Sequence, residues 1–206
     1  MRIPFLPQTG CCQLCGRAVE GFEGAYLCED CSGAYKPQYD RAGSAFRFEL
    51  DARRLLLNYK FNCHIWLKDD LTDALEGAAR ARFEVTAIDV ILPMPITTWH
   101  RIDRGYNPSA YLAEALSERL DRRFDARVLL RCGHPVRQAG LDEKRRRENV
   151  KGTFTVRRPE WIRGRTVLIV DDVMTTGATF SECARVLKAA GARTVWCLSL
   201  ARSIRT

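Results

Sequence analysis

The sequence predicts an α/β fold, a mostly parallel sheet flanked by helices, preceded by a small cysteine-rich module. Three observations carry this reading. Residues 87–92, 166–170 and 194–200 are runs rich in β-branched and aliphatic residues, as in strands buried on both faces. Between such runs lie segments whose apolar residues recur at helical spacing, the alternation that builds parallel sheets. Ahead of them stand two Cys-x-x-Cys pairs in a segment too short and too Gly-rich to hold itself together by burial.

In chain order, Cys12-Gln-Leu-Cys15 and Cys28-Glu-Asp-Cys31 are separated by twelve residues that include Gly16, Gly21 and Gly24. Four thiolates in two turns make a tetrahedral Zn²⁺ site, a zinc ribbon, and leave no open position for water, so the metal is expected to be structural. Cys11 leaves the register open: it could replace Cys12, although Cys12 gives the regular spacing. Within residues 10–37 the cations are Arg17 and Lys36, thin for a surface that contacts phosphates. Residues 39–43 read as a linker. Residues 45–48 alternate as a short strand, and 50–61 form a helix ending near Lys60, a position that suits a partner for the helix dipole. A second helix over 69–83 places Leu71, Leu75, Ala78, Ala79 and Arg82 on one face.

The strand at 87–92 is ended by Pro93-Met94-Pro95, which fixes the backbone where a strand's C-terminal end meets the ligand crevice of an α/β sheet. Asn107 is the expected N-cap of the next helix, with Pro108 at its tolerated first position and Leu112, Ala115, Leu116 and Leu120 facing inward. Arg104, beside Gly105, is a candidate ligand-binding cation. After a short strand at 128–130, residues 132–149 are polar, contain Lys144-Arg145-Arg146-Arg147 and show no hydrophobic period. They read as a mobile loop that closes as a lid, with nucleic-acid contact as the rival. Residues 153–156 form an edge strand.

The central stretch follows. The strand at 166–170 is expected to end at Asp171 and Asp172, and Thr175-Thr176-Gly177-Ala178-Thr179 is a tight loop feeding a helix from about Ala178 to Ala190, stopped by Gly191. Unpaired N–H groups, the helix dipole and three threonine hydroxyls suit a phosphate, and Gly177 lets the backbone come close. Two carboxylates beside a phosphate repel it unless they bind something else. Vicinal ribose hydroxyls or a bridging Mg²⁺ suit them, so the inferred ligand is a ribose 5-phosphate. No Gly-Lys-Ser/Thr of a Walker loop and no Gly-x-Ser-x-Gly elbow is present, and His64, His100 and His134 show no ligand spacing.

Charge and composition narrow the classes. Lys+Arg at 33 against Asp+Glu at 25 gives +8, which points to anionic ligands. No apolar run approaches the roughly 20 residues of a membrane span and no leader pattern is seen, so a cytoplasmic chain without membrane insertion is expected. Nine cysteines there argue for metal rather than disulfides.

The stretch at 167–179 resembles the PRPP-binding motif of type I phosphoribosyltransferases. With the cysteine pairs, Lys60-Phe61, Pro93-Met94-Pro95, Arg104-Gly-Tyr-Asn107, Gln138-Ala-Gly-Leu141 and the run from Arg145 to Phe154, the order is similar to that of the ComF family, phosphoribosyltransferase-like proteins associated with natural transformation and DNA uptake. The resemblance implies an N-terminal zinc-ribbon module and linker over 1–43 and a phosphoribosyltransferase-like domain over 44–206. It implies PRPP bound with Mg²⁺: ribose hydroxyls on Asp171 and Asp172, the 5-phosphate on Thr175, Thr176, Gly177, Ala178 and Thr179, and pyrophosphate near Met94, Pro95, Lys60, Arg104 and Arg145. Structural zinc falls to Cys12, Cys15, Cys28 and Cys31. Enzymes that salvage 6-oxopurines carry an acid where this chain has Thr175, so that acceptor class is disfavoured and the acceptor stays open. The reading is a phosphoribosyltransferase with a ComF-like role; the alternative is a non-catalytic PRPP-sensing or single-stranded-DNA-binding protein, with single-stranded DNA or DNA-uptake proteins as partners.

Overall fold

A computed structural model of the chain describes residues 6, 10–18, 24, 26–33, 36–61, 64–97, 99, 101–102, 105–132 and 148–203. Arg104, Arg145 and residues 133–147 of the lid expected at 132–149 lie outside the described residues.

Among the described residues, a five-stranded sheet runs in the order β1 (Arg41–Arg47), β7 (Thr194–Arg202), β6 (Thr166–Met174), β2 (Val90–Pro93), β3 (Arg123–Phe124), every pairing parallel. This is the mostly parallel sheet the apolar runs predict. The sequence explains why β6 is central. Val167 and Ile169 point into one hydrophobic cluster while Leu168 and Val170 point into the other, so apolar residues are needed on both faces. Each fully buried aliphatic side chain of this kind contributes about 1.5–3 kcal/mol.

Helices cover the two faces unequally. On one side lie α2 (Leu50–Phe61), α3 (Lys68–Arg82) and α4 (Pro108–Leu120), which bury Leu56, Tyr59, Leu71, Leu75, Leu112 and Leu116. On the other lies α5 (Ala178–Ala189), through Phe180, Cys183, Ala184 and Leu187. There the cluster continues into the cysteine module, with its single turn α1 (Glu29–Ser32), and into a small antiparallel pair, β4 (Leu129–Arg131) with β5 (Phe154–Val156). Phe154 and Val128 pack the foot of that hairpin onto the main core.

Three local differences from the sequence expectations have physical reasons. Strand β6 does not stop at Asp171 but continues to Met174, because β7 runs alongside it as far as Arg202 and supplies the hydrogen-bonding partner. Strand β1 begins at Arg41, inside the expected linker, and pairs with β7 from Trp196 onward. Gly43 is needed there, since a Cβ would meet Arg82 Cγ at 2.9 Å. The third difference is that the strand expected at 128–130 belongs to the hairpin and not to the main sheet.

Helix ends follow the signals in the chain. Asn107 Oδ1 accepts from Ser109 N at 3.1 Å with Pro108 at the first helical position. Past the end of α5, Gly191 adopts φ 101 and Ala192 N donates to Leu187 O at 3.0 Å, closing the last turn. No helix among the described residues is long and apolar enough to cross a membrane.

Candidate functional site

The acid pair sits where β6 passes the C-terminal ends of its neighbours. Asp171 Oδ1 accepts from Ser109 Oγ at 2.9 Å and from Asp172 N at 2.9 Å. Asp172, 6% exposed, places Oδ2 at 2.5 Å from Lys60 Nζ. Lys60, from the end of α2, and Ser109, from the start of α4, converge because the two helices are tied together. Tyr59 Oη donates to Pro108 O at 3.2 Å and Tyr106 Oη donates back to Tyr59 O. The dipole role expected for Lys60 is therefore incomplete, for its ammonium is the counterion of Asp172.

Withdrawal from water, then the charge of Asp172, pushes the Asp171 carboxyl up to about 7, against the opposing pull of Lys60. Of the two neighbouring carboxylates, Asp172 is thus the one paired with the lysine, and Asp171 is the one raised toward neutrality. Arg131 on β4 is a third charge that sequence reasoning missed. Its guanidinium lies 5.3 Å from the Phe154 ring centroid, its Nε is buried without a hydrogen-bond partner, and burial lowers its pKa despite the opposing pull of the acidic groups near it, Asp171 among them.

Met94 and Pro95, both buried, extend β2 beside the acids. Met94 N donates to Val170 O at 2.7 Å and Met94 O accepts from Asn107 Nδ2 at 3.0 Å, so the proline-flanked loop is fixed against the strand that carries Asp171.

The loop after β6 turns through Gly177 at φ 78 into α5. A Cβ at this glycine would meet Met174 Cε at 2.7 Å and Tyr39 Oη at 3.0 Å, so a side chain here must displace the Met174 methyl and crowd the Tyr39 hydroxyl as well as adopt the left-handed conformation. Thr175 is exposed, Thr176 and Thr179 are half-buried and Ala178 is buried. Thr176 Oγ1 accepts from Ala178 N at 3.3 Å, a long bond at the first turn of a twelve-residue helix with no side-chain cap on Gly177. The positive end of the α5 dipole is thus presented immediately after the acid pair. Lys60, Met94, Pro95, Asp171, Asp172 and residues 175–179 all belong to this end of the sheet.

The cysteine module packs behind the same loop. The sulphurs of Cys12, Cys15, Cys28 and Cys31 lie within 4.8 Å of one another and all four residues are buried. Cys15 and Cys28 Sγ are 3.6 Å apart, close to the roughly 3.8 Å edge of a tetrahedron with metal–sulphur bonds of about 2.3 Å. Backbone N–H groups of Cys15 and Cys28 point at Cys12 Sγ at 3.5 and 3.4 Å, as they do toward a metal-bound thiolate.

Without a cation, charge can settle on only part of this set. Hydrogen bonds from the Cys15 and Cys31 thiols drive the Cys12 thiol far down, while the same bonds push Cys15 up to about 11 and Cys31 well above its ordinary value. Four sulphurs so placed are positioned to bind a metal ion, whose charge would let all of them ionise. Cys11 is outside the cluster. It packs with Leu6 and Ala18 and accepts from Arg82 Nη1 at 3.3 Å, which resolves the register in favour of Cys12 as the cluster member. Arg82 also donates to Cys12 O and Gln13 O at 2.7 Å each, clamping the first knuckle to α3.

Comparison with known proteins agrees with this geometry. The phosphoribosyl transferase domain family matches residues 107–205, which include the acids and the loop. Competence protein F of Haemophilus influenzae is 28% identical over 96% of this chain and 93% of its own length. DNA utilization protein YhgH of Escherichia coli K12 is 36% identical over 53% of this chain, a match that spans 48% of that protein. Among solved structures, an allosteric regulatory enzyme of purine biosynthesis overlaps 69% of this chain and 30% of its own, with 17% identity and a TM-score of 0.46. These likenesses, to competence protein F along nearly the whole chain and to the phosphoribosyl transferase domain family over residues 107–205, support the resemblance to the ComF family.

Proposed function

We propose that the protein binds PRPP with Mg²⁺ and transfers its phosphoribosyl group to an acceptor. The observation that carries this is the sequence of features along one strand end: Asp171 and Asp172 at the crevice, then Gly177 and the N-terminus of α5 within one turn of chain. The loop at 175–179 takes the 5-phosphate, with backbone N–H groups and threonine hydroxyls as donors. Asp171 and Asp172 accept the two ribose hydroxyls. Pyrophosphate lies along Met94 and Pro95 with Lys60 as its cation, and the family resemblance adds Arg104 and Arg145, which lie outside the described residues. Bound Mg²⁺ supplies charge neutralisation of the pyrophosphate oxygens.

In this arrangement the chain's own groups do specific work. As the bond from the ribose anomeric carbon to pyrophosphate lengthens, positive charge grows on the ring and negative charge on the departing oxygen. Carboxylates fixed beside the ribose stabilise the first, and Lys60 with the arginines stabilises the second. Ser109 holds Asp171 in the orientation its hydroxyl bond defines. Thr175 supplies no base at the position where 6-oxopurine enzymes have an acid, so hypoxanthine and guanine are disfavoured as acceptors.

Zinc on Cys12, Cys15, Cys28 and Cys31 is structural, because four thiolates occupy every tetrahedral position. The relatives' printed names, a competence protein and a DNA utilization protein, support a role in natural transformation or DNA uptake. Calorimetric titration with PRPP and Mg²⁺ tests the reading, followed by pyrophosphate release across a panel of acceptors. Micromolar binding that is lost in Asp171→Asn with Asp172→Asn supports it. Equal binding by that double variant removes the ribose assignment, and binding without turnover for any acceptor favours a PRPP sensor.

A further inference from the structure

We propose that the four-cysteine centre sets the geometry of the 175–179 loop, with Arg202, Met174 and residues 38–39 as the positioning groups that connect them. The proposal rests on the reading of that loop as a phosphate site.

The connection is made of named contacts. Arg202, at the end of β7 and 2% exposed, donates through Nη1 to Cys15 O at 2.6 Å, the carbonyl of a cluster cysteine. The same nitrogen lies 3.1 Å from Met174 Sδ. Met174 is the last residue of β6, paired in register with Arg202, and its methyl group is what a side chain at Gly177 would strike. Arg202 Nε is buried with no hydrogen-bond partner, so this guanidinium is held by few bonds and its place depends on the charge around it. A dication with four thiolates carries net negative charge, the counterpart a buried arginine needs.

A second route runs through the segment that follows the second knuckle. Gln38 N donates to Ser181 Oγ at 3.0 Å, in the first turn of α5, and Ser181 N in turn donates to Gly177 O at 2.8 Å. Tyr39, 3% exposed, packs in one cluster with all four cysteines and sets its hydroxyl against Gly177. Cys15, Cys31, Tyr39, Thr176 and Arg202 line one small cavity, so the cluster and the loop share a wall. The metal centre therefore braces the phosphate loop from behind, by a buried cation on one side and by a tyrosine and a backbone hydrogen bond on the other. Removal of the metal takes away that counter-charge, and with it the backstop of the loop.

Coupling of this kind is reciprocal: a ligand on the loop must tighten the metal by the factor by which the metal tightens the ligand. The test uses ribose 5-phosphate without magnesium, on the full chain, and measures zinc affinity by equilibrium competition with a chromogenic chelator. Zinc held about tenfold more tightly at saturating ribose 5-phosphate, within the 5–150-fold range of such couplings, is expected. In Arg202→Met the tightening is lost while the protein still binds one zinc, and Arg202→Lys, which keeps the charge, restores part of it. Should Arg202→Met fail to fold, Ser181→Ala weakens the second route and is expected to lower the tightening. Ribose 5-phosphate that binds by calorimetry but leaves zinc affinity unchanged overturns the coupling. If ribose 5-phosphate does not bind, the phosphate reading fails, and hydrogen exchange of residues 174–181 decides the coupling alone. Faster exchange on zinc removal keeps it and unchanged exchange ends it.

Discussion

Lys60 Nζ stands 2.5 Å from Asp172 Oδ2, joining the last turn of α2 to the acid that sequence motifs assign to the ribose. Asp172 is nearly buried and the lysine side chain is 29% exposed. Removing the cation leaves a carboxylate with neither water nor a counterion, which for a fully buried pair costs about 3–5 kcal/mol. Solvent screening at Lys60 reduces this, so Lys60→Met is expected to lower stability by about 1–3 kcal/mol in urea denaturation. Lys60→Met with Asp172→Asn restores neutrality and is expected to recover much of the loss, a non-additivity read by a double-mutant cycle. Binding separates the roles of the lysine. PRPP affinity is expected to fall more than ribose 5-phosphate affinity, because only PRPP carries the pyrophosphate; equal losses would place Lys60 at the ribose alone.

The pH dependence follows from Asp171. Its folded value is about 7 against an ordinary 3.8, so between these values the folded protein holds a proton that the unfolded chain has released. Stability is therefore expected to fall as pH rises from about 4 to about 7, with this carboxyl opposing folding above that range. Ligand binding has the opposite sign. Ribose hydroxyls donate to an ionised carboxylate, so PRPP affinity is expected to rise with pH through about 7, with a proton released on binding at pH 6. Titrations in buffers of different ionisation enthalpy measure that proton. Lys60→Met removes the charge that lowers the Asp171 value and is expected to move the whole profile to higher pH, whereas an unmoved profile would assign the titration to another group.

The cysteine cluster makes a prediction that separates its members from their neighbour. Protein purified without added metal is expected to contain about one zinc per chain, and Cys31→Ser to lose most of it together with the packing of the module on the core. Cys11→Ser keeps the metal, because Cys11 meets Arg82 and not the other sulphurs. Elemental analysis of the two variants decides the ligand set, and zinc lost equally from both would return the register to doubt.

Much of this was legible in the chain, for reasons that differ from residue to residue. The strands at the centre of the sheet could be read because burial on both faces demands uninterrupted apolar residues, and α2 and α4 because their apolar stripes and the Asn107-Pro108 start are local signals. The extension of β6 through Asp171 and Asp172 was not legible, since charged residues end most buried strands and only the length of β7 shows otherwise. Likewise Gly43 reads as a linker residue until Arg82 is seen to need its missing side chain. At the site, the acids and the loop are contiguous and so announce themselves. Ser109, Arg131 and Arg202 reach the site from other elements, and no spacing within the sequence encodes those meetings.

Gly177 and Gly105 provide the last prediction, because they share a backbone conformation and differ in surroundings. Both have positive φ, 78 and 76 respectively, so an alanine at either is strained by about 1 kcal/mol. At Gly105 an added Cβ meets nothing within 4 Å, and the strain is the whole cost. At Gly177 the Cβ meets Met174 Cε at 2.7 Å and Tyr39 Oη at 3.0 Å, both held in the buried cluster with the cysteines, and overpacking adds about 1–3 kcal/mol. Gly177→Ala is therefore expected to destabilise the protein by about 2–4 kcal/mol and Gly105→Ala by about 1 kcal/mol in chemical denaturation. The clash also pushes the loop off Tyr39. Ribose 5-phosphate binding is expected to fall at least tenfold in Gly177→Ala even at temperatures where the variant is fully folded, and Tyr39→Phe in the same chain, by removing the hydroxyl, is expected to regain part of both losses. No recovery in the pair would mean that the Tyr39 hydroxyl does not govern the loop, leaving the conformation at residue 177 and the contact with Met174.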